Sequence, residues 1–568
     1  MCGIGGLFRP GGEGLTGYHE AILERLMENM HLRGPDGSGL TVRGEVGLAH
    51  TRLAIIDVNE RAGQPMESED WVLSCNGEIY NYRAIKEELV GRYEFRTTSD
   101  TEVLLMALQE WGMDTALGKC AGMFAFLAYN KRERVLYAAR DRLGIKPLLM
   151  ALLDDGTFCF ASSAGAIVKA TPDIDWQVFK PALASFFVLG APFTRTTVYD
   201  RIERVSPAHY VRCLPDGTFE TVKYWEPRYR PGFTMDDMVS VVREYQVSDV
   251  KSALFLSGGV DSTFLAAAMD SLDCFHLTSP ETRYAKNAAK VFGRKFVCVT
   301  PDLADYETDV ERVIGLHGEP LMSCGIPNSV TRELHAKGYK MAISANGADE
   351  LFHGYYRTLS PEYTPDYLPF HERRTYRFLN QQLAHLFRNS DHFRIEELQG
   401  YIPTLREIGN EILDKLSLPD FSVSANHRWL ELMTYVLFDL NPTLDAASMA
   451  NSVEVRVPFL DHRIVEGVLS WPAERLITTK YGRKSPMKEY LAQYFPMAFF
   501  NRPKLGFSIF SDLLGDIEVL GTKALAAGME TGFITVQGKG EDGNARDRKY
   551  LGLCCFSYEK WKQSLNYV

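Results

Sequence analysis

The sequence predicts two joined domains. The first is a strand-rich α+β domain over residues 2–210; the second, over 237–568, is an α/β domain with a parallel sheet and a helical C-terminal part. Three observations predict this. At about 150 residues per domain, 568 residues are too many for one core. The first 200 residues are short β-branched and aromatic runs broken by Gly and Asn. From about residue 237 the rhythm becomes strand–loop–helix, the signature of a parallel sheet.

In the first domain, strands are expected at residues 46–50, 53–57, 71–75, 122–129, 134–139 and 157–162, with helices at 22–31 and 100–111. Residues 211–236 are assigned as linker, because YWEPRYRPGFTMD (224–236) holds two prolines and a glycine. The second domain opens with a strand at 253–256, the loop SGGVDS (257–262) and a helix at 263–272. A strand at 274–278, a helix at 283–292 and strands at 295–299 and 340–344 follow, and polar residues 538–548 read as a loop.

Hydrophobic content of 45% and charged content of 24% are those of an ordinary globular protein. A net charge of -11 argues against a non-specific nucleic-acid or anionic-membrane binder. No run approaches the ~20 apolar residues that span a bilayer; the longest, 182–193, is interrupted by Ser185, Gly190 and Pro192. The opening MCGIGGLFRP lacks a secretory signal's basic and long apolar regions, so a cytoplasmic, reducing setting is expected. The ten cysteines show no C-x-x-C spacing and read as small buried hydrophobes, except Cys2.

Removal of Met1 would leave Cys2 first, with a thiol of pKa ~8.5 and a free α-amine near ~7.7–8.0. That amine can take the thiol proton, so no separate histidine is needed. A thioester route also needs an oxyanion hole. Asn76 and Gly77, at the end of a strand, offer an amide side chain and a glycine N–H. Arg52 can grip a carboxylate bidentately, and Glu78 and Asp100 can hold an ammonium group. In the second domain, two glycines between a strand and a helix let backbone N–H groups approach an anion. The loop is not of the Walker type, and Asp261 beside phosphate would call for a bridging Mg²⁺.

Together MCGIGG (1–6), RGPD (33–36), HTRLAIID (50–57), NGEIYN (76–81), SDTE (99–102), GMFAF (122–126) and RDRLGIKP (140–147) resemble class II glutamine amidotransferase domains. The resemblance implies an N-terminal-nucleophile αββα sandwich with Cys2 as nucleophile and Asn76 and Gly77 as oxyanion donors. It implies glutamine binding by Arg52, Leu53, Ala54, Ile55, Ile56, Asn76, Gly77, Glu78 and Asp100. SGGVDS is similar to the pyrophosphate loop of the ATP pyrophosphatases, the adenine nucleotide α-hydrolase-like fold. SANGADELFHGY (344–355) and SMANSVEVRVPFLD (448–461), with Arg483, Lys484, Lys488 and Glu489, resemble the asparagine synthetase family. This implies glutamine hydrolysis, passage of ammonia through a tunnel, adenylation of a carboxylate by ATP, and amide formation. By the same resemblance, Ser257, Gly258, Gly259, Asp261 and Ser262 hold pyrophosphate and Mg²⁺. Phe255, Leu256 and Leu277 line the adenine site, with Ser344 and Ala345 beside AMP. Asp349 places metal or substrate, and Lys484 meets the charge of adenylation.

Three positions depart from the family pattern. Asn346 stands where a glutamate is usual, His353 replaces the first glycine of E-x-F-G-G-Y, and Ala446 replaces the arginine of D-R-x-S-M-A. Asn346, Asp349, Glu350 and His353 are the acceptor-site candidates, with His353 a substitute base, and an acceptor other than aspartate is expected. The alternatives are asparagine synthetase itself, an intramolecular amide-forming cyclase of the β-lactam-synthetase kind, and a non-catalytic relative. Retention of Cys2, Arg52, Asn76, Gly77 and Asp100 disfavours the last two. Whether the chain works alone or as a homodimer is open.

Overall fold

In the computed structural model, the described residues are 2–301, 305–354, 418–500, 519–527 and 545–565, with 393, 394, 398, 400, 401, 404, 407, 416, 502, 535 and 536. Met1, Tyr355 and residues 538–544 lie outside them, whereas residues 545–548, expected in a loop, open the helix Ala545–Leu565.

Twelve strands build the first domain: β1 Gly3–Phe8, β2 Gly37–Arg43, β3 Val46–Arg52, β4 Met66–Glu67, β5 Trp71–Ile79, β6 Gly122–Asn130, β7 Val135–Arg140, β8 Leu149–Leu152, β9 Phe158–Ala161, β10 Ile202–Arg204, β11 His209–Cys213 and β12 Phe219–Lys223. They form two antiparallel six-stranded sheets, ordered β10-β8-β9-β1-β3-β2 and β12-β11-β7-β6-β5-β4. Helices Gly17–Asn29 and Ala164–Ala170 cover the first sheet, and Tyr82–Leu89 and Asp100–Lys119 cover the second. The opening glycines make this layering possible. A Cβ on Gly3 would lie 2.7 Å from Met30 Cβ of the covering segment, and one on Gly6 would lie 2.6 Å from Leu127 of the opposing sheet. β1 is therefore pressed on both faces, and Cys2 at its start is buried.

Two expectations need correction. Residues 211–223, assigned to the linker, form most of β11 and all of β12, so the first domain runs to about Lys223. Residues 53–57 are not a strand: Asp57 takes a left-handed φ of 47°, and the N–H groups of Ala54 and Asp57 go to the carboxylates of Asp36 and Asp249. Side-chain acceptors have replaced ladder partners there.

The second domain holds a parallel sheet of β13 Ser252–Phe255, β14 Asp273–Leu277, β15 Phe296–Val299, β16 Met341–Ile343 and the strand Glu454–Arg456. Its order, β15-β14-β13-β16 and then Glu454–Arg456, reverses direction at β13. Ligands of open α/β sheets bind outside the strand ends at such a switch point, and residues 257–262 leave β13 there. The helix Ala545–Leu565 ties the domains together: Trp561 Nε1 donates to Gly318 O at 2.9 Å and lies 3.2 Å from Tyr199 Oη of the first domain. No helix among the described residues is long and apolar enough to cross a membrane. Nine of the ten cysteines are buried and Cys298 is exposed.

Candidate active sites

The Cys2 backbone N–H donates to Asn76 Oδ1 at 2.9 Å. Asn76 is fully buried, and its Nδ2 has no hydrogen-bond partner among the described residues. One end of the amide is thus fixed by the Cys2 nitrogen, which leaves the NH₂ end open. Gly77 is placed by β-sheet register. It faces Phe124 of β6, whose N–H and C=O are both engaged with Asp141 on the other side. On the edge where Gly77 points, Cys75 exchanges bonds with the Gln64 side chain, and the Ile79 N–H donates to Asp100 Oδ2 at 2.9 Å. Gly77 lies between them with its N–H on that edge. Its lack of a side chain is also required by β6, since a Cβ would meet Met123 O at 2.3 Å.

Burial pushes the Cys2 thiol above its ordinary range, against the lowering pull of the Leu53 N–H and the Arg52 charge. The thiol therefore needs a base. His50, opposite Ile4 on β3, is pushed down to about 3 by burial and by Arg52, too weak a proton acceptor for the task. Leu53 stands at the thiol, whereas Arg52 gives Nη1 to Asn59 O at 2.8 Å and Nη2 to Asp57 O, bracing the loop that carries Ala54, Ile55 and Ile56.

Glu78 and Asp100 lie side by side and buried. Burial raises the Asp100 carboxyl to about 6, and the Glu454 charge adds to the rise. Burial and the Asp100 charge raise Glu78 well above its usual range, with Arg456 pulling the other way. Glu454 and Arg456 come from the second domain, so that domain forms part of the first site's wall. Sequence reasoning gave neither residue a role. Their signal was two charged residues two apart in the buried apolar strand VEVRV (453–457).

At the second site, Ser257 N–H and Oγ and Ser262 Oγ interlock at 3.1 and 2.9 Å, with the Gly259 N–H on Ser257 Oγ. Gly258 has φ +86°, and a Cβ there would sit 2.7 Å from Ala285 N, so only glycine fits. Leu256 is buried, and Phe255 and Leu277 lie at the carboxyl ends of β13 and β14. The Ser344 N–H donates to Arg456 O at 2.8 Å and its Oγ to Asn346 Oδ1 at 2.7 Å; Ala345 follows beside them. Lys484 is 6% exposed, which rules out a solvated helix lysine. Its Nζ lies 2.5 Å from both Asp261 Oδ2 and Asp349 Oδ1. Burial would lower this ammonium, and the two carboxylates more than offset that and raise it.

Glu350 and His353 are buried next to Asp349. His353 keeps a left-handed φ of 55°, and its Nε2 lies 2.7 Å from Ser424 Oγ. Asp445, at the departure from D-R-x-S-M-A, forms a buried ion pair with Arg33 at 2.8 Å, and Arg33 Nε donates to Cys2 O at 3.2 Å. The acid retained in that motif thus braces, across the domain boundary, the strand that Cys2 opens.

Two family profiles match the chain: glutamine amidotransferase domain over residues 1–225 and asparagine synthase over 236–521. Asparagine synthetase [glutamine-hydrolyzing] 1 of Bacillus subtilis (strain 168) is 30% identical over 558 residues, covering 90% of this chain and 87% of that protein. Asparagine synthetase [glutamine-hydrolyzing] 3 of the same strain is 30% identical over 521 residues and 81% of each chain. A solved glutamine phosphoribosylpyrophosphate amidotransferase from B. subtilis overlaps 62% of this chain and 77% of its own at 17% identity, with a TM-score of 0.30, too partial to bear on function. The first domain has the two-sheet αββα sandwich and the second the parallel-sheet architecture that the sequence led one to expect. With two profiles in tandem and relatives aligned over most of its length, the chain belongs to the glutamine-hydrolysing asparagine synthetase family.

Proposed function

We propose that this chain is a glutamine-hydrolysing, ATP-dependent amide-forming ligase whose acceptor carboxylate is not aspartate. What carries the glutaminase half is the hydrogen bond from Cys2 N to Asn76 Oδ1, which leaves Asn76 Nδ2 buried and open. With Met1 removed, the α-amine takes the thiol proton and the sulfur attacks the glutamine carboxamide carbon. Asn76 Nδ2 and the Gly77 N–H receive the oxyanion, ammonia leaves, and water hydrolyses the thioester to glutamate. Arg52 would hold the substrate carboxylate, and Glu78 and Asp100 its ammonium.

At the second site, the acceptor carboxylate attacks the α-phosphorus of ATP to give an acyl-adenylate and pyrophosphate. Ammonia passing inside the protein then displaces AMP. The loop of Ser257, Gly258, Gly259 and Ser262 cradles the phosphates, with Phe255, Leu256 and Leu277 on the adenine side and Ser344 and Ala345 beside AMP. Lys484 supplies positive charge as negative charge builds on the phosphates. Asp261 and Asp349 converge on one cation, here the Lys484 ammonium, and two carboxylates plus phosphate oxygens are the donor set that Mg²⁺ takes. Bound there, Mg²⁺ would offset phosphate charge.

Three residues support a different acceptor: Asn346, which cannot act as a base where the family carries glutamate; Ala446, which cannot anchor an acid where the family carries arginine; and His353. Asn346, Asp349, Glu350 and His353 would face that acceptor. The competing reading, asparagine synthetase proper, rests on the names of the 30% identical relatives. Purified enzyme with glutamine, aspartate, ATP and Mg²⁺ decides between them. Asparagine formed at ordinary enzymatic rates, on the order of 1–10³ s⁻¹, would overturn the proposed acceptor. AMP and pyrophosphate release, screened against a panel of carboxylic acids with ammonium, identifies the true one.

A further inference from the structure

Arg456 belongs to the second domain by chain position, yet its side chain is committed to the glutaminase site. It is fully buried on the edge strand Glu454–Arg456. Nη2 donates to Glu78 Oε2 at 2.7 Å and Nε to Glu454 Oε1 at 2.5 Å; Nη1 donates to the carbonyls of Tyr245 and Val247 at 2.9 and 2.5 Å. Four acceptors from three chain segments thus fix one planar group. Glu78 lies two residues past Asn76 in β5, and its second oxygen, Oε1, is buried with no hydrogen-bond partner among the described residues. A buried acceptor left unmade is costly and points to an absent donor. A ligand ammonium has the right charge and valence. Arg456 is also the counter-charge that opposes burial and the neighbouring Asp100 charge, which together push Glu78 toward a neutral carboxyl that would bind ammonium poorly.

We propose that Arg456 is a positioning residue of the glutaminase site supplied by the synthetase domain: it clamps one oxygen of Glu78 so that the other is presented to the α-ammonium of glutamine. The proposal rests on glutamine being held at Glu78 and Asp100. The same residue reaches the nucleotide site through its backbone, because its carbonyl accepts the Ser344 N–H. A shift of Ser344 on nucleotide binding would therefore act directly on the residue that orients Glu78.

The test is Arg456→Lys in the full-length enzyme, since one ammonium on a flexible stem cannot satisfy four acceptors in a plane. The KM for glutamine should rise at least tenfold, with glutaminase kcat within threefold and affinity for Mg²⁺ with α,β-methylene-ATP within twofold by calorimetry. A purely structural role would move all three together. In the wild-type enzyme this nucleotide should shift the KM for glutamine at least twofold, and in Arg456→Lys it should not. A folded Arg456→Lys with unchanged KM overturns the proposal, and absence of a nucleotide shift in the wild type overturns the link through Ser344. Asp100→Asn separates the two failures. If it raises KM while Arg456→Lys does not, Arg456 is the error; if neither raises it, the placement of glutamine is wrong. Should Arg456→Lys fail to fold, Glu454→Gln, which loosens the Nε anchor, is expected to raise KM about threefold, and an unchanged value overturns the proposal equally.

Discussion

Replacement of Asn76 separates catalysis from stability in a way few buried residues allow. In the resting protein its Nδ2 is buried with no hydrogen-bond partner among the described residues, while Oδ1 accepts from Cys2 N at 2.9 Å. Asn76→Ala removes an oxyanion donor, worth about 2.7–4 kcal/mol of transition-state stabilisation, so glutaminase kcat should fall about 10²–10³-fold. The stability terms oppose one another. Losing the bond from Cys2 costs about 0.5–1.5 kcal/mol, and removing the orphaned donor returns about 1–3 kcal/mol. The lost packing of a small buried side chain consumes much of that return, so the net should lie within about 1 kcal/mol, a small movement in Tm. Asn76→Asp keeps the acceptor for Cys2 but sets a carboxylate against the oxyanion, and its kcat should fall further than that of Asn76→Ala. Glutamate release gives kcat and KM; differential scanning calorimetry gives Tm. If Asn76→Ala retains glutaminase kcat within tenfold, Asn76 is not an oxyanion donor. A Tm that collapses along with activity would show that Nδ2 is not an unsatisfied donor in the resting protein.

Asp100 titrates near 6, so in the free enzyme it loses its charge below that pH, and kcat/KM for glutamine should fall towards tenfold per unit under about pH 6. Glu78, Glu454 and Arg456 face it, and Asp100→Asn should flatten the limb; a profile already flat from pH 5 to 7 refutes the assignment. Because its folded pKa lies above the usual 3.8, the stability Asp100 contributes is full below that value and is lost as pH rises through about 6, which pH-dependent melting of wild type and Asp100→Asn should show. Lys484→Met leaves Asp261 and Asp349 with no cation between them. Breaking such a buried pair costs about 3–5 kcal/mol, pyrophosphate release should fall at least 100-fold, and basal glutaminase activity should stay within twofold. Gly258→Ala must adopt φ +86° with its Cβ against Ala285, a cost of about 1–2 kcal/mol that should weaken ATP binding about tenfold in calorimetry.

Most of the fold, and many of the residues it gathers at the two candidate sites, were legible in the sequence, for a physical reason that also marks where legibility stopped. Strand and helix periodicity report which face is buried, so β5, β6, β7 and the four parallel strands β13 to β16 emerged within a residue or a few of their observed ends, whereas the short fifth strand Glu454–Arg456 did not. Local chemistry reports which groups are unusual, so Cys2, Asn76 and Gly77 stood out, as did residues 257–262. Residues 53–57 misled because Leu, Ala and two Ile look like strand, whereas the fold uses them as a loop whose N–H groups go to Asp36 and Asp249. The β11 and β12 hairpin was lost to the linker because an edge strand such as Phe219–Lys223 is largely exposed and lacks the apolar alternation that betrays a strand. Arg33 with Asp445, Arg456 with Glu78, and Lys340 with Asp36 are separated by hundreds of residues, and no local period encodes them. Yet the cost of burial makes such pairs findable in principle. A charge inside an apolar strand must be paid for by a partner, so Glu454 and Arg456, two apart in VEVRV, already required a second carboxylate or a set of carbonyls from elsewhere in the chain. That the partner proved to be Glu78, beside the proposed oxyanion donors, makes the boundary between the domains part of the chemistry rather than a seam beside it.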